Sequence, residues 1–186
     1  MNDTRKILEQ FKSGEVSVDE ALQQLMYEDT GFAKIDHNRK ARTGYPEVIF
    51  GQGKTPEQAA EIFQKLAAKG RALCTRADDD MAQAILKKTP DATYYPVARI
   101  VAYGKPTEEK GLIVVATGGT SDIPVAEEAA IVLEHFGSRV KRLYDVGVAG
   151  VHRLLANADQ FDNANAVLAW AGMEGARAAG VAGLGR

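Results

Sequence analysis

The stretch Leu112-Ile-Val-Val-Ala-Thr-Gly-Gly-Thr-Ser-Asp122 decides the fold that the sequence predicts. Residues 112–116 are continuously apolar, which is typical of a strand buried on both faces of a parallel sheet. Apolar residues then recur at helical spacing from Val125 to Phe136, and Gly137 is placed to end that helix. The stretch therefore predicts a strand, a glycine loop and a helix, in that order.

The same alternation continues towards the C-terminus. Residues 140–144 and 166–170 are strand candidates, and residues 151–161 between them have a helical pattern. A strand, helix, strand, helix, strand order predicts a parallel sheet with right-handed crossovers, so the predicted fold class is α/β.

The residues before position 110 predict a smaller α/β module behind a helical hairpin. Gly14 ends the first helix of the hairpin, and a capping box from Ser17 to Glu20 begins the second. The other predicted elements are strands at 32–35, 45–50, 72–75 and 93–103, the last with an edge or bulge at Pro96, and helices at 56–69 and 78–88. A polar boundary at 104–110 gives predicted domains at 1–107 and 108–186.

The composition excludes several classes of protein. The chain has 186 residues, of which 23 are basic and 25 acidic, and its formal charge of −2 does not suggest a nucleic-acid-binding surface. No apolar run reaches the roughly 18 residues of a membrane span. The N-terminus lacks a secretory signal, so we expect a cytoplasmic protein. The single cysteine, Cys74, and three separated histidines exclude a Cys-rich zinc site.

The glycine loop at 118–122 is the strongest local signal of a binding site, because ligands of open α/β sheets bind at the carboxyl ends of the strands. Gly118 and Gly119 let the backbone approach a ligand, and the helix N-terminus favours an anion. Thr120 and Ser121 add hydroxyl groups, and Asp122 suits ribose hydroxyls or a metal ion. Alternatively, Ser121 or Asp122 only caps the helix, and local chemistry leaves both interpretations open.

Two further glycine loops follow the other strands of this sheet. The second contains His152 and Arg153, which suit acid–base chemistry and phosphate binding, although a surface histidine without a function is the alternative. The third runs through Gly172, Met173, Glu174 and Gly175. Three polar glycine loops at one edge predict a site there.

Two motifs of the first module have structural alternatives. Gly51-Gln-Gly-Lys-Thr55 lacks the first glycine of a phosphate loop, so we interpret Thr55, Pro56 and Gln58 as a helix cap. The charged residues beside a predicted strand pair are Asp36, Arg39, Arg42 and Glu47. They form either a solvated face or a clamp in which Arg39 and Arg42 hold a phosphate or carboxylate.

The loops and the front half resemble two known families. GGTSDIPVAEEAAIVLEHFG, the His152-Arg153 pair and AGMEGA are similar to the nucleotide-binding loops of the aminoimidazole ribonucleotide carboxylase or mutase (PurE) of purine synthesis. GFAKIDHNRKARTGYPEVIFGQGKT resembles the LarB family of nickel-pincer nucleotide cofactor biosynthesis, also labelled circadian phase modifier proteins. This front match is carried by Asp36, Arg39, Arg42, Gly44, Pro46 and Glu47, and the resemblance extends over residues 1–176.

The LarB resemblance implies a combined carboxylase and hydrolase with a PurE-like, flavodoxin-like domain at 108–186. Such an enzyme carboxylates C5 of the pyridinium ring of nicotinic acid adenine dinucleotide and cleaves its phosphoanhydride, which releases AMP. The resemblance also implies CO2 or bicarbonate as co-substrate, Mg2+ as a helper at the pyrophosphate, no tightly bound organic cofactor and a homo-octamer. With it we expect catalytic roles for Asp122, His152 and Glu174, and nucleotide binding by the three loops.

The C-terminal residues depart from the LarB pattern. After AGMEGA that family continues through a strand, a loop and a helix with a catalytic cysteine, whereas residues 177–186 are RAAGVAGLGR and Cys74 matches no family nucleophile. We therefore expect a shortened domain with the substrate-binding half of the enzyme but without its thiol. Two alternatives stay open, namely a non-catalytic nucleotide-binding or regulatory module and an aminoimidazole ribonucleotide carboxylase.

We expect the chain to self-associate through residues 108–186. A sheet of three strands leaves apolar surface and open edges, which proteins usually cover, and the near-neutral charge gives little electrostatic repulsion. Light scattering at micromolar concentration should give an oligomer larger than a dimer. A stable monomer of 20.0 kDa would contradict this expectation.

Overall fold

The computed structural model describes residues 2–36, 39, 43–146 and 156–170, which contain both helices and strands. The helices are α1 Asn2–Ser13, α2 Val18–Met26, α3 Pro56–Ala67, α4 Asp79–Lys88 and α5 Ile123–Phe136. The strands are β1 Glu28–Asp29, β2 Lys34–Ile35, β3 Ile49–Phe50, β4 Ala72–Thr75, β5 Thr93–Tyr95, β6 Ile100–Tyr103, β7 Leu112–Thr117, β8 Arg139–Leu143 and β9 Ala166–Trp170. Mixed helices and strands with parallel pairing confirm the α/β fold class. Among the helices described, none combines the length and apolar character that a bilayer crossing needs.

Strand β7 lies at the centre of a parallel sheet in the order β8–β7–β9. Val114 and Val115 are fully buried and face opposite sides, because side chains alternate along a strand. Val115 packs with Ala126 and Ala130 of α5, whereas Val114 packs with Phe161. The three parallel strands and the burial of β7 on both faces are as the sequence predicts.

Helix α5 begins after a 3-10 turn at Thr120–Asp122 and ends at a glycine. Gly137 has φ +102°, as expected of a left-handed cap, and Ser138 N donates to Leu133 O at 2.9 Å. A Cβ at position 137 would lie 2.6 Å from the carbonyl oxygen of Glu108. Glycine is therefore required here both for the turn and for the approach of the segment before β7.

The prediction of a helix over 151–161 is wrong for the part of this segment that the structure describes. Residues 151–155 lie outside the described residues, and Ala158–Phe161 form a 3-10 turn instead of an α-helix. Gln160 N donates to Asn157 O at 3.0 Å, a spacing of three residues. The chain must reverse into β9 within a few residues, with Asn163 at φ +62°, so a further helical turn does not fit.

The first module contains a four-stranded sheet in the order β3–β4–β6–β5. β3 and β4 are parallel, while β6 is antiparallel to both β4 and β5. Helices α3 and α4 belong to the same apolar core as this sheet, with Phe63, Cys74, Ile85 and Val101 fully buried. The two helices and β4 confirm the predicted elements.

The prediction of one strand over 93–103 is wrong, because the segment is a hairpin. β5 and β6 pair antiparallel, with Tyr95 opposite Ile100. Arg99 closes the turn at φ +54°, and its N–H donates to the carbonyl oxygen of Pro96 at 3.2 Å. Proline has no N–H for a strand ladder, so Pro96 begins a turn where the sequence indicated only an edge or a bulge.

The N-terminal hairpin is confirmed, with Gly14 at φ +78° after α1. Glu20 N donates to Ser17 Oγ at 3.2 Å, and Ser17 N donates to Glu20 Oε2 at 2.8 Å, which is the predicted capping box. The predicted strand at 32–35 shortens to β2, because Thr30 N donates to Ala33 O at 2.9 Å in the turn before it. The predicted strand at 45–50 shortens to β3.

Helix α5 also packs against the four-stranded sheet. Ile131 joins Leu73 of β4 and Ile100 of β6 in one buried cluster. Arg76 Nε donates to Glu128 Oε1 at 3.1 Å at the same contact. The helix thus lies between the two sheets, and the division into domains at 107/108 stays a prediction.

His135 is a buried histidine in the last turn of α5, with 6% of its surface exposed. Burial and, as the smaller cause, the positive charge of Arg71 together lower the pKa of His135 to about 4. The imidazole is therefore neutral in the folded protein at neutral pH.

The low pKa of His135 predicts that the protein loses stability as the pH falls. Between pH 6.5 and about 4 the unfolded chain protonates this histidine while the folded chain keeps it neutral. The contribution is present above pH 6.5 and is lost as the pH falls towards 4. In urea unfolding, the wild type should lose about 2 kcal/mol more stability from pH 7 to pH 5 than a His135→Gln variant. Equal losses in the two proteins would contradict the assignment.

Candidate functional site

The carboxyl ends of the three parallel strands meet at one edge of the sheet. Gly118 N donates to Trp170 O at 3.0 Å, which joins the ends of β7 and β9. Val146 N donates to the carbonyl oxygen of Thr117, also at 3.0 Å, and Asp145 N donates to its hydroxyl at 3.2 Å. Thr117, 1% exposed, therefore fixes the start of the segment that follows β8 against the end of β7.

The loop after β7 leaves open space beside its backbone. Gly119 has an extended conformation, with φ −144° and ψ 169°, which any residue can adopt. A Cβ built at Gly119 would meet only Ser121 Oγ, at 3.9 Å. Neither conformation nor packing within the described residues requires glycine at 119, so the residue is suited to the close approach of a ligand.

Asp122 precedes the first residue of α5 but its side chain makes no capping hydrogen bond. Its backbone lies in the right-handed helical region, with φ −87° and ψ −11°, instead of the extended conformation of a capping aspartate. A carboxylate at this end of a helix is favoured by the helix dipole. Of the two interpretations that the sequence left open for Asp122, the structure does not support the side-chain cap.

The remaining residues predicted for this edge lie outside the described residues. They are His152, Arg153, Gly172, Met173, Glu174 and Gly175. The strands that precede them, β8 and β9, end beside the loop of β7. The roles of these six residues stay predictions.

The Gly51–Thr55 motif of the first module ends in a helix cap. Thr55 N donates to Gln58 Oε1 at 3.1 Å and Gln58 N donates to Thr55 Oγ1 at 3.3 Å, which confirms the capping box in place of a phosphate loop. Lys54 Nζ donates to its own chain, to Phe50 O at 3.0 Å. The ammonium group of Lys54 thus stabilises a local turn of its own segment.

The proposed arginine clamp is only partly described. Arg39 is exposed, and Arg42 lies outside the described residues. Glu47 Oε2 accepts a hydrogen bond from Asp36 N at 2.6 Å, so this carboxylate holds the segment after β2. A structural role therefore accounts for Glu47, and the clamp stays a prediction for the two arginines.

Hydrogen bonds and ion pairs join α5 to the end of β8, near the carboxyl edge of the parallel sheet. The sequence analysis did not predict them. Tyr144 Oη donates to Glu127 Oε1 at 2.6 Å, and Arg142 Nε donates to the same oxygen at 3.1 Å. Arg142 also donates through both terminal nitrogens to Glu134. Burial and the bond to Glu127 raise the pKa of Tyr144, so its phenol stays protonated. The available signal was the spacing of Glu127 and Glu134 by seven residues on one helix, with Arg142 and Tyr144 two residues apart in the predicted strand at 140–144.

An apolar cavity of about 310 Å³ adjoins the beginning of α5. Its lining residues come from the β5–β6 turn and from α5, and they are Tyr95, Pro96, Val97, Ala98, Ile123, Glu127 and Ile131. Ile123 directly follows Asp122, so the cavity begins next to the predicted site. The sequence analysis missed it because the wrong single strand over 93–103 concealed the turn.

The fold and the geometry of this edge define an α/β protein whose parallel sheet offers a glycine loop, a helix N-terminus and an adjacent apolar cavity. Residues 27–105 match the family described as the LarB/PurE-like N-terminal domain. Over 187 aligned residues the chain is 38% identical to the uncharacterized protein MJ0165 of Methanocaldococcus jannaschii, and the alignment covers 92% of this chain and 73% of that protein. The chain therefore belongs to the LarB/PurE-like family, as the resemblance in the sequence indicated. This membership indicates a carboxylase-like protein.

Asp122 should contribute to ligand binding and little to folding. Because its side chain caps nothing, Asp122→Asn should change the free energy of unfolding by less than about 0.5 kcal/mol. Loss of a charge-assisted hydrogen bond should weaken binding of nicotinic acid adenine dinucleotide by about 1–3 kcal/mol. Calorimetry on this variant and on Asp91→Asn, an exposed aspartate with the same charge change, measures both effects. Equal affinities in the two variants would leave Asp122 without a binding role.

Proposed function

We propose that this protein binds nicotinic acid adenine dinucleotide at the carboxyl edge of the β8–β7–β9 sheet. We further propose that it acts there as a carboxylase of the pyridinium C5 and as a hydrolase that releases AMP. The observation that carries the proposal is the loop at Gly118–Asp122, which has open backbone at Gly119 in a chain of the LarB/PurE-like family. Such loops receive nucleotides at the carboxyl ends of parallel strands.

The described residues suit the polar parts of a dinucleotide. The N-terminus of α5 and the exposed hydroxyls of Thr120 and Ser121 suit phosphate oxygens. Asp122 would repel phosphate but would accept hydrogen bonds from ribose hydroxyls. His152 is proposed as the acid or base, Arg153 as a phosphate ligand and Glu174 as the second acid of the site.

The cavity beside Ile123 supports binding of a ring. It is lined mainly by apolar groups and holds about 310 Å³, within the range of small-molecule sites. Tyr95 and Pro96 offer flat surfaces against which a pyridinium or purine ring packs. Glu127 also lines the cavity, but its carboxylate already accepts hydrogen bonds from Arg142 and Tyr144.

Magnesium fits as a helper at the pyrophosphate only if the substrate and water supply most of its ligands. Within the described part of the chain, no three His, Cys, Asp or Glu side chains group together to hold a metal ion. Asp122 is the carboxylate that would hold Mg2+, with phosphate oxygens and water as the other ligands. A bound ion would neutralise phosphate charge during cleavage.

Carboxylation of a pyridinium ring requires a nucleophile that Cys74 does not supply. A thiolate that adds to the ring would create an enamine carbon able to attack CO2. Cys74 is fully buried in β4, and burial raises the pKa of its thiol to about 12. This observation favours a second candidate function, in which the protein binds the dinucleotide without turnover as a regulatory module.

Incubation of the purified chain with nicotinic acid adenine dinucleotide and 13C-bicarbonate separates the two functions. AMP together with a labelled pyridinium-3,5-dicarboxylate mononucleotide, detected by mass spectrometry, is the expected result for the enzyme. Saturable binding without product supports the regulatory module. No binding, or turnover of aminoimidazole ribonucleotide instead, would overturn both. Asp122→Asn serves as the site control and Cys74→Ala should leave any product formation unchanged.

A further inference from the structure

Arg71, directly before β4, has two guanidinium nitrogens without a hydrogen-bond acceptor. Its Nε and Nη2 atoms are buried, and neither has an acceptor among the described residues. Burial lowers the pKa of Arg71, but an arginine stays protonated in proteins. The Arg71 side chain as a whole is only partly buried, but two buried donors without acceptors leave hydrogen bonds unmade, so an acceptor is expected at this position.

The two atoms lie along the same edge of the planar guanidinium group. Nε–H and the outer Nη2–H form the fork that binds two oxygens of a carboxylate or phosphate in parallel. The fork is therefore complementary to the two oxygens of an oxyanion.

Two cavities adjoin Arg71, and the smaller of them reaches the end of α5. One holds about 220 Å³ and extends to Lys110 and Gly137, and the other holds about 380 Å³ and extends to Lys69 and Lys105. Arg71, Pro46 and Thr107 line both. Together they offer space for a small molecule that bears an acidic group.

Three acids line these cavities, namely Asp36, Glu47 and Glu108, and each already has a partner. Glu108 binds Lys110 at 2.7 Å, and Glu47 accepts the hydrogen bond from the Asp36 backbone. Their negative charges are thus partly compensated before a ligand enters. Lys105 adds a positive charge at the rim of the larger cavity.

Glycines bring the surrounding backbone close to Arg71. Gly104 has φ +79°, and a Cβ there would lie 2.2 Å from Gly70 O and 2.9 Å from Arg71 Cγ. Gly137 allows the end of α5 to meet Glu108 O in the same way. The aliphatic part of the Arg71 side chain consequently lies close to the backbone of Gly104.

We propose that Arg71 binds the phosphate or carboxylate group of a small molecule in these cavities, as a second ligand site. It is separate from the glycine loop, because Asp122 and Gly137 stand at opposite ends of the 14-residue helix α5. At 1.5 Å per residue the helix separates them by about 20 Å. The proposal does not depend on the activity proposed for the carboxyl edge.

Titration calorimetry with inorganic phosphate and, separately, with acetate tests this site. In wild-type protein we expect saturable binding of at least one anion, and the anion that binds identifies the ligand group as phosphoryl or carboxylate. Arg71→Met should weaken that binding at least tenfold, since it removes the fork but keeps most of the side-chain volume. Arg5→Gln, which removes an exposed arginine of α1, should bind as the wild type does.

A second variant keeps the test decisive if Arg71→Met does not fold. Arg71→Lys retains the charge but loses the paired donors, so it should bind at least threefold more weakly than wild type. Anion binding at the glycine loop would persist in both Arg71 variants. Its persistence distinguishes that binding from binding at Arg71. Absence of saturable binding in the wild type, or equal binding in the Arg71 variants and Arg5→Gln, would overturn the proposal.

Discussion

The rest of the structure depends on the burial of helix α5 between two sheets. Ala126 and Ala130 face Val115 of the parallel sheet, while Ile131 faces Leu73 and its neighbours in the four-stranded sheet. A helix that packs on two sides must be apolar over most of its surface, and its polar contacts are confined to its ends and edges. Both candidate ligand sites therefore lie where this helix begins and where it ends.

The beginning of α5 combines three features that come from different parts of the chain. The loop after β7 gives open backbone at Gly119, and the β5–β6 turn gives the apolar cavity next to Ile123. The ion-paired residues of β8 hold Glu127 in the wall of that cavity. The first module thus contributes to the surroundings of a site whose glycine loop belongs to the second, which gives a physical reason for the two modules to occur together.

Much of the local structure follows from the sequence, because it rests on signals within a few residues of one another. The apolar run of β7, the capping boxes at Ser17 and Thr55, and the glycine after α5 each specify an element or its end. The family also follows from sequence, since the motifs of the front half match residues 27–105 of the LarB/PurE-like family. The prediction at 93–103 was wrong because a proline indicates a break in a strand but not whether the chain bends or reverses.

Only the tertiary structure decided which residues meet across the molecule. The isolation of the Arg71 guanidinium, the neutral state of His135 and the buried thiol of Cys74 arise from burial, which depends on packing between distant segments. The cavity at Ile123 likewise requires the β5–β6 turn to meet α5. The sequence by itself determined most of the strands and helices and the loop at Gly118–Asp122, because those are set by local periodicity and backbone preference. The hairpin within 93–103 and the 3-10 turn at Ala158–Phe161 were not among them. The electrostatic environment of each side chain was left to the fold, because solvation is set by neighbours that are remote along the chain.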